Sequence, residues 1–159
     1  MRSADRFPPC LLSRLTDSEP QLKKEKLPQV LSLEQLKQDV LRNLEMILNS
    51  RSHLPEQEMQ PYPDAASSVL AFGLADFCGF SHDETALERI RTDILFQIRC
   101  FEPRIQPDSL DVSFAEQQSS AQEVALQISG KLRVTPLQEE FLFISRLNLE
   151  TGNATIEPK

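Results

Sequence analysis

Residues 98–114 read IRCFEPRIQPDSLDVSF, and within them the repeat of apolar residues changes period. Up to Phe101 the apolar positions recur at steps of three and four, the spacing of one face of a helix. From Leu110 onward they alternate, Leu110, Val112 and Phe114 against Asp111, Ser113 and Ala115, which is the pattern of a half-buried strand. Between the two regimes stands Glu102-Pro103-Arg104. Pro103 has no amide hydrogen and pushes the residue before it towards an extended backbone, so the helix has to stop there. The carboxylate and the guanidinium beside it admit two readings. They are a helix end whose charges are solvated or pair locally, or a rigid turn that presents a fixed recognition point.

Upstream of that turn, the spacing predicts a helix over 82–101. Leu87, Ile90, Ile94, Ile98 and Phe101 form its stripe, Leu95 broadens it, and Ser81 with Glu84 reads as a capping box. Glu88 with Arg91, and Arg89 with Asp93, are placed to pair on the exposed side. Residues 33–51 predict an earlier helix, with Leu33, Leu36, Val40, Leu44 and Ile47 in register and Ser32 with Gln35 as its capping box. Between the helices, Pro55, Pro61, Pro63, Gly73 and Gly79 allow only short helical turns joined by bends. Residues 1–31 hold Pro8, Pro9, Pro20 and Pro28 and read as an irregular arm, in which CLLSRL (10–15) is apolar enough to dock.

Downstream, Val124, Leu126, Ile128, Leu132 and Val134 predict a long strand, with Gly130 marking a bend, a bulge or a close backbone approach. Phe141, Phe143, Leu147 and Leu149 predict another. Its Leu142 and Ile144 imply partial cover on the second face. Gly152-Asn153 signals a hairpin into a short strand at 154–157. The expected fold class is therefore α+β: two main helices packed on one antiparallel sheet of three to four strands. Its expected organisation is an arm over 1–31 and a single domain over 32–159.

The chain has 159 residues, one domain's worth, and is 40% hydrophobic, enough for a core without disulfides or metal. A net charge of −7 argues against a nucleic-acid-binding domain. Cys10, Cys78 and Cys100 have neither metal-ligand spacing nor an even count, and read as free thiols of a reducing compartment. No signal-peptide core precedes the domain and no apolar run is of spanning length, so the expected location is the cytoplasm, without membrane insertion.

The catalytic inventory is thin. The sequence contains no phosphate-cradling glycine motif, no GxSxG and no metal-ligand cluster, and nothing calls for a cofactor. His82 lies in the first turn of a helix, with no orienting acid placed for it. Glu102 is the one acid in an unusual setting, and Arg104 beside it is a partner for a carboxylate, not an aid to a proton donor.

The ordered set LLSRLTDSEP (11–20), SLEQLKQDVLRNLEMILNSR (32–51), SVLAFGLADFCGF (68–80), IRCFEPRI (98–105), ISGKLRV (128–134) and LNLETGNATIE (147–157) resembles the TssE family of type VI secretion baseplate subunits. That family is similar to the phage baseplate wedge subunits historically named tail lysozymes. The resemblance implies an assembly part without catalytic residues. It implies that Glu102, Pro103 and Arg104 engage a wedge core of TssF and TssG, with TssK in the same assembly, and that Leu12, Arg14 and Leu15 of the arm dock. It further implies strand pairing with the contractile sheath proteins TssB and TssC, in a baseplate held at the inner-membrane complex. An edge strand is a template for such pairing. Gln127, Ser129 and Lys131, outward-facing on the 123–134 strand, are the first candidates for that edge, with the 154–157 strand second. An Arg104 exposed past the helix end would cost the monomer about 0.5 kcal/mol or less when truncated. The alternative reading is a lysozyme-like peptidoglycan hydrolase, which needs two carboxylates across a cleft. The remaining one is a scaffold with no specific partner.

Overall fold

The helix that the 98–114 stretch terminates runs Glu84–Phe101 in the computed structural model. The structure describes residues 7–16, 20–21, 30–54, 61–79, 83–115, 122–134 and 139–158. Among the described residues, the α-helices in chain order are α1 (Leu11–Leu15), α2 (Leu33–Asn49), α3 (Pro63–Ala66) and α4 (Glu84–Phe101). The strands are β1 (Asp111–Phe114), β2 (Glu123–Leu132), β3 (Glu139–Asn148) and β4 (Ala154–Pro158), all antiparallel. This is an α+β fold. Two compact units divide it, Met1–Arg42 and Asn43–Lys159.

In the first unit, Phe7 and Leu31 exchange two backbone hydrogen bonds of 3.1 and 2.8 Å, closing the arm into a loop. The helix α1 lies inside that loop, with Leu11, Leu12 and Leu15 exposed at 69%, 57% and 75%. The start of α2 carries the reciprocal capping box that its sequence predicts. Ser32 N–H donates to Gln35 Oε1 at 2.9 Å, and Gln35 N–H to Ser32 Oγ at 3.3 Å.

In the second unit, the buried side chains of α4 are Ile90, Ile94, Gln97 and Ile98. Its cap differs from the sequence expectation. Asp83 is the N-cap, its Oδ1 accepting from Ala86 N–H at 2.8 Å; Ser81 lies outside the described residues. An aspartate caps as well as a serine, and its charge suits the positive helix start. Gln97 sits on the apolar stripe and is buried because it spans two backbone groups. It accepts from Gly73 N–H at 3.0 Å and donates to Ala71 O at 2.9 Å. Gly73 needs to be glycine: its φ is +103°, and a Cβ there would meet the backbone of Ser50 at 2.7 Å.

The sheet order is β1-β2-β3-β4. Its inner face is Val112, Val124, Leu126, Ile128, Leu132, Phe141, Phe143, Leu147 and Ile156, all buried. Gly130 makes no bulge in β2; it pairs in register with Phe141, whose ring lies 3.1 Å from where a Cβ would stand. The close approach is that of a side chain. Leu142 and Ile144 on the outer face are half-buried.

The order overturns β2 as the free edge. β2 is central, paired to β1 on one side and to β3 on the other. The chain just before β1 extends the cover: Arg133 N–H donates to Arg104 O (2.7 Å), Gln106 N–H to Lys131 O (2.9 Å) and Lys131 N–H to Ser109 Oγ (2.9 Å). The backbone of Lys131 is thus occupied at both groups. Gln127 and Ser129 pair with Ser113 and Asp111. The edges are β1 and β4.

Ser145 is wholly buried on the inner face, and its Oγ has no hydrogen-bond partner among the described residues. An unpaired buried hydroxyl destabilises by about 1–3 kcal/mol, partly offset by the space it fills. Ser145→Ala is expected to raise stability by up to about 1 kcal/mol in urea unfolding. A loss of 1 kcal/mol would mean that the hydroxyl has a partner.

Candidate interaction site

At the end of α4, Glu102 caps the helix with φ −122° and donates its N–H to Ile98 O at 2.9 Å. Ile105 N–H then returns to Glu102 O at 3.1 Å, which closes a four-residue turn. Pro103 occupies the second position of that turn, where its fixed φ is pre-set. Proline stops the helix and makes the turn in one step.

The carboxylate folds back over this turn. Glu102 Oε1 accepts from Arg104 N–H (3.2 Å) and Nε (2.7 Å); Oε2 accepts from Arg104 Nη2 (2.7 Å) and Asn43 Nδ2 (3.3 Å). This is a two-pronged guanidinium–carboxylate pair, reinforced by a backbone amide and by a carboxamide from α2. The Glu102 side chain is 0% exposed and that of Arg104 is 23% exposed. Pro103 is exposed. So the expectation of an exposed, cheaply truncated Arg104 does not hold. Arg104 neutralises a buried charge, and only its outer part and Pro103 reach solvent.

Each sheet edge meets a helix side chain. At β4, Asn49 Nδ2 donates to Ala154 O and Asn49 Oδ1 accepts from Ala154 N–H, both at 2.9 Å. At β1, Arg91 Nη1 donates to Val112 O at 3.3 Å while its other nitrogens hold Glu88. Neither contact was visible in the sequence, where Asn49 reads as a helix end and Arg91 as half of a surface ion pair.

A cleft of about 960 Å³ lies between α4 and residues 52–54 and 63–77, lined by Leu74, Phe77 and Ile90, with Asp76, Glu84, Glu88 and Asp93 as its acids. Three of the four are already engaged. Asp76 caps Cys78 N–H at 3.0 Å, Asp93 accepts from Ala75 N–H at 2.7 Å, and Glu88 pairs with Arg91. The Cys78 amide holds Asp76 below the usual carboxylate range, and the hydrogen bond from Arg91 does the same for Glu88. A proton donor at neutral pH needs the opposite shift.

Among the described residues, no helix is long and apolar enough to cross a membrane, and no group of three or more potential ligands could hold a metal. Among the described residues, Cys10, Cys78 and Cys100 take part in no disulfide. Of the residues singled out in the sequence, the structure joins Glu102 to Arg104, with Pro103 in the same turn. It leaves Leu12, Arg14 and Leu15 exposed on α1, and puts Gln127, Ser129 and Lys131 on a central strand.

Compared with known families, residues 34–137 match baseplate wedge protein gp25. That span is about two thirds of the chain and runs from α2 through the Glu-Pro-Arg turn to just past the end of β2. No curated protein and no solved structure matches the chain.

Proposed function

Because the chain belongs to the baseplate wedge protein gp25 family, a family of structural baseplate parts, we propose that it is the TssE-type subunit of a type VI secretion baseplate. In this reading it works in the cytoplasm, in a baseplate docked at the inner-membrane complex, and joins the wedge core of TssF and TssG, beside TssK, to a contractile sheath of TssB and TssC. The observation that carries the reading is the turn inside the matched span. Glu102 and Arg104 lock each other, and the locked turn presents Pro103 and the outer guanidinium at a fixed place. A pre-organised surface loses little entropy on binding. The exposed Leu12 and Leu15, with Arg14 between them, supply a second docking surface.

The hydrolase alternative finds less support. Asp76 and Glu88 of the cleft are pushed towards the ionised form, the wrong direction for a general acid. Strand pairing with the sheath moves from β2 to the edges β1 and β4.

Affinity capture of the full chain from a type VI-competent host tests the reading. TssF and TssG are expected with the wild-type chain. Leu12→Asp with Leu15→Asp should keep the melting temperature, because both sites are exposed, and lose most of the captured TssF and TssG. Wild-type capture without either protein would refute the assignment. Undiminished capture by the double variant would remove the arm from the docking surface.

A further inference from the structure

The β4 edge carries a side chain that imitates a strand. In an antiparallel ladder, directly opposed residues of a hydrogen-bonded pair exchange both an N–H and a C=O bond. Asn49 makes that same two-bond exchange with Ala154, through its carboxamide, at 2.9 Å each way. Asn153 bonds inward, its carbonyl accepting from Asn148 N–H on β3, so the alternation turns the backbone groups of Ala154, Ile156 and Pro158 outward. Among the described residues, nothing else occupies the outward groups of Ile156. Pro158 has an outward carbonyl and no N–H.

We propose that Asn49 is an edge guard, which prevents the β4 strands of two copies of this chain from pairing with each other. The occupant it excludes is a second copy, because a strand of odd length is complementary to itself about its middle residue. Two β4 strands related by a two-fold axis at Ile156 would exchange both bonds at Ile156. Each Ala154 N–H would then donate to the second copy's Pro158 carbonyl. Asn49 already holds the Ala154 N–H, so it removes the flanking bonds and leaves the central pair alone, too short a ladder to hold two chains together. The proline at the other end blunts the edge further. This extends the strand-addition reading of the sheath contact. It rests on that reading only for what finally displaces Asn49.

The pairing also fixes a register that can be read out. Thr155 of one copy would face the second copy's Glu157, both exposed on the outer sheet face. Arg146, 3.5 Å from Glu157, leaves that carboxylate only partly screened.

The test uses the full chain at low ionic strength, with size-exclusion chromatography and light scattering over a concentration series, and with amide hydrogen exchange. In the wild type, the Ala154 amide should be protected and the chain monomeric. Asn49→Ala should speed Ala154 exchange by about tenfold or more and produce a dimer. In the Asn49→Ala background, Thr155→Lys should tighten that dimer several-fold and Thr155→Glu weaken it several-fold. An unprotected Ala154 amide in the wild type overturns the guard directly, whether or not the variant folds. A variant that exchanges faster yet stays monomeric at every concentration overturns it too, and tells against strand addition at this edge. A dimer indifferent to the charge at position 155 forms elsewhere, and overturns the guard while leaving strand addition by the sheath standing.

Discussion

Arg104→Ala is expected to lower the stability of the isolated protein by about 2–4 kcal/mol, because it strands the carboxylate of Glu102 in the interior. Glu102 is 0% exposed, and three of its four described hydrogen bonds come from Arg104. Two of those are side-chain bonds and vanish with the substitution. The Arg104 amide at 3.2 Å and Asn43 at 3.3 Å remain, and neither carries charge. Breaking a fully buried pair costs about 3–5 kcal/mol; the 23% exposure of Arg104 lets water reach the gap and places the expectation below the top of that range. For a domain of this size, about 2–4 °C per kcal/mol converts the loss into a melting temperature lower by roughly 5–15 °C. Adding Glu102→Gln should recover part of it, since the two residues act as one unit. A melting temperature within about 2 °C of wild type for the single variant would mean that Glu102 is not held by Arg104 in solution.

Ser129→Pro should abolish folding, whereas Ser129→Ala should be nearly neutral. Ala125 O and both backbone groups of Lys131 bond towards the β1 side, so by alternation the N–H and C=O of Ser129 face β1 as well. Proline removes that donor and sets its ring against the neighbouring strand. In a helix interior the same defect costs about 3 kcal/mol or more, and a central strand held on both sides has no cheaper way to relax. Circular dichroism and urea unfolding decide the matter. A proline variant within about 1 kcal/mol of wild type would show that β2 is not central.

Most of the secondary structure was legible in local pattern. The stripes of α2 and α4 and the alternation in β1 to β4 follow from spacing, and the Ser32–Gln35 box from two residues. Strand order was not legible. Length and regularity made β2 look like an available edge; what closes it is β1, a strand legible by its alternation but not by its partner, continued by residues 104–109, a segment with no strand pattern of its own. The turn was half legible. Glu102-Pro103-Arg104 marks itself by composition, but the carboxylate's burial was not visible, and its fourth hydrogen bond comes from Asn43, which lies 59 residues earlier in the chain. Gln97 was accessible to closer reading, because a polar residue on an apolar stripe has to find backbone partners. Asn49 gave no such signal. An asparagine at a helix end is commonplace, and its partner Ala154 is separated from it by 105 residues.

Stability and recognition meet at Arg104, and one pair of substitutions separates them. Glu102→Leu with Arg104→Met replaces the internal ion pair by apolar side chains of similar volume, an exchange that often leaves a fold as stable as before. The decisive measurement is the affinity of this variant for a purified TssF–TssG complex, taken beside its melting temperature. A melting temperature near that of wild type is expected, with binding weakened by at least about 30-fold, the loss of an interface arginine worth about 2 kcal/mol. Binding within about twofold of wild type would leave the Glu-Pro-Arg turn as internal architecture alone, with no part in recognition.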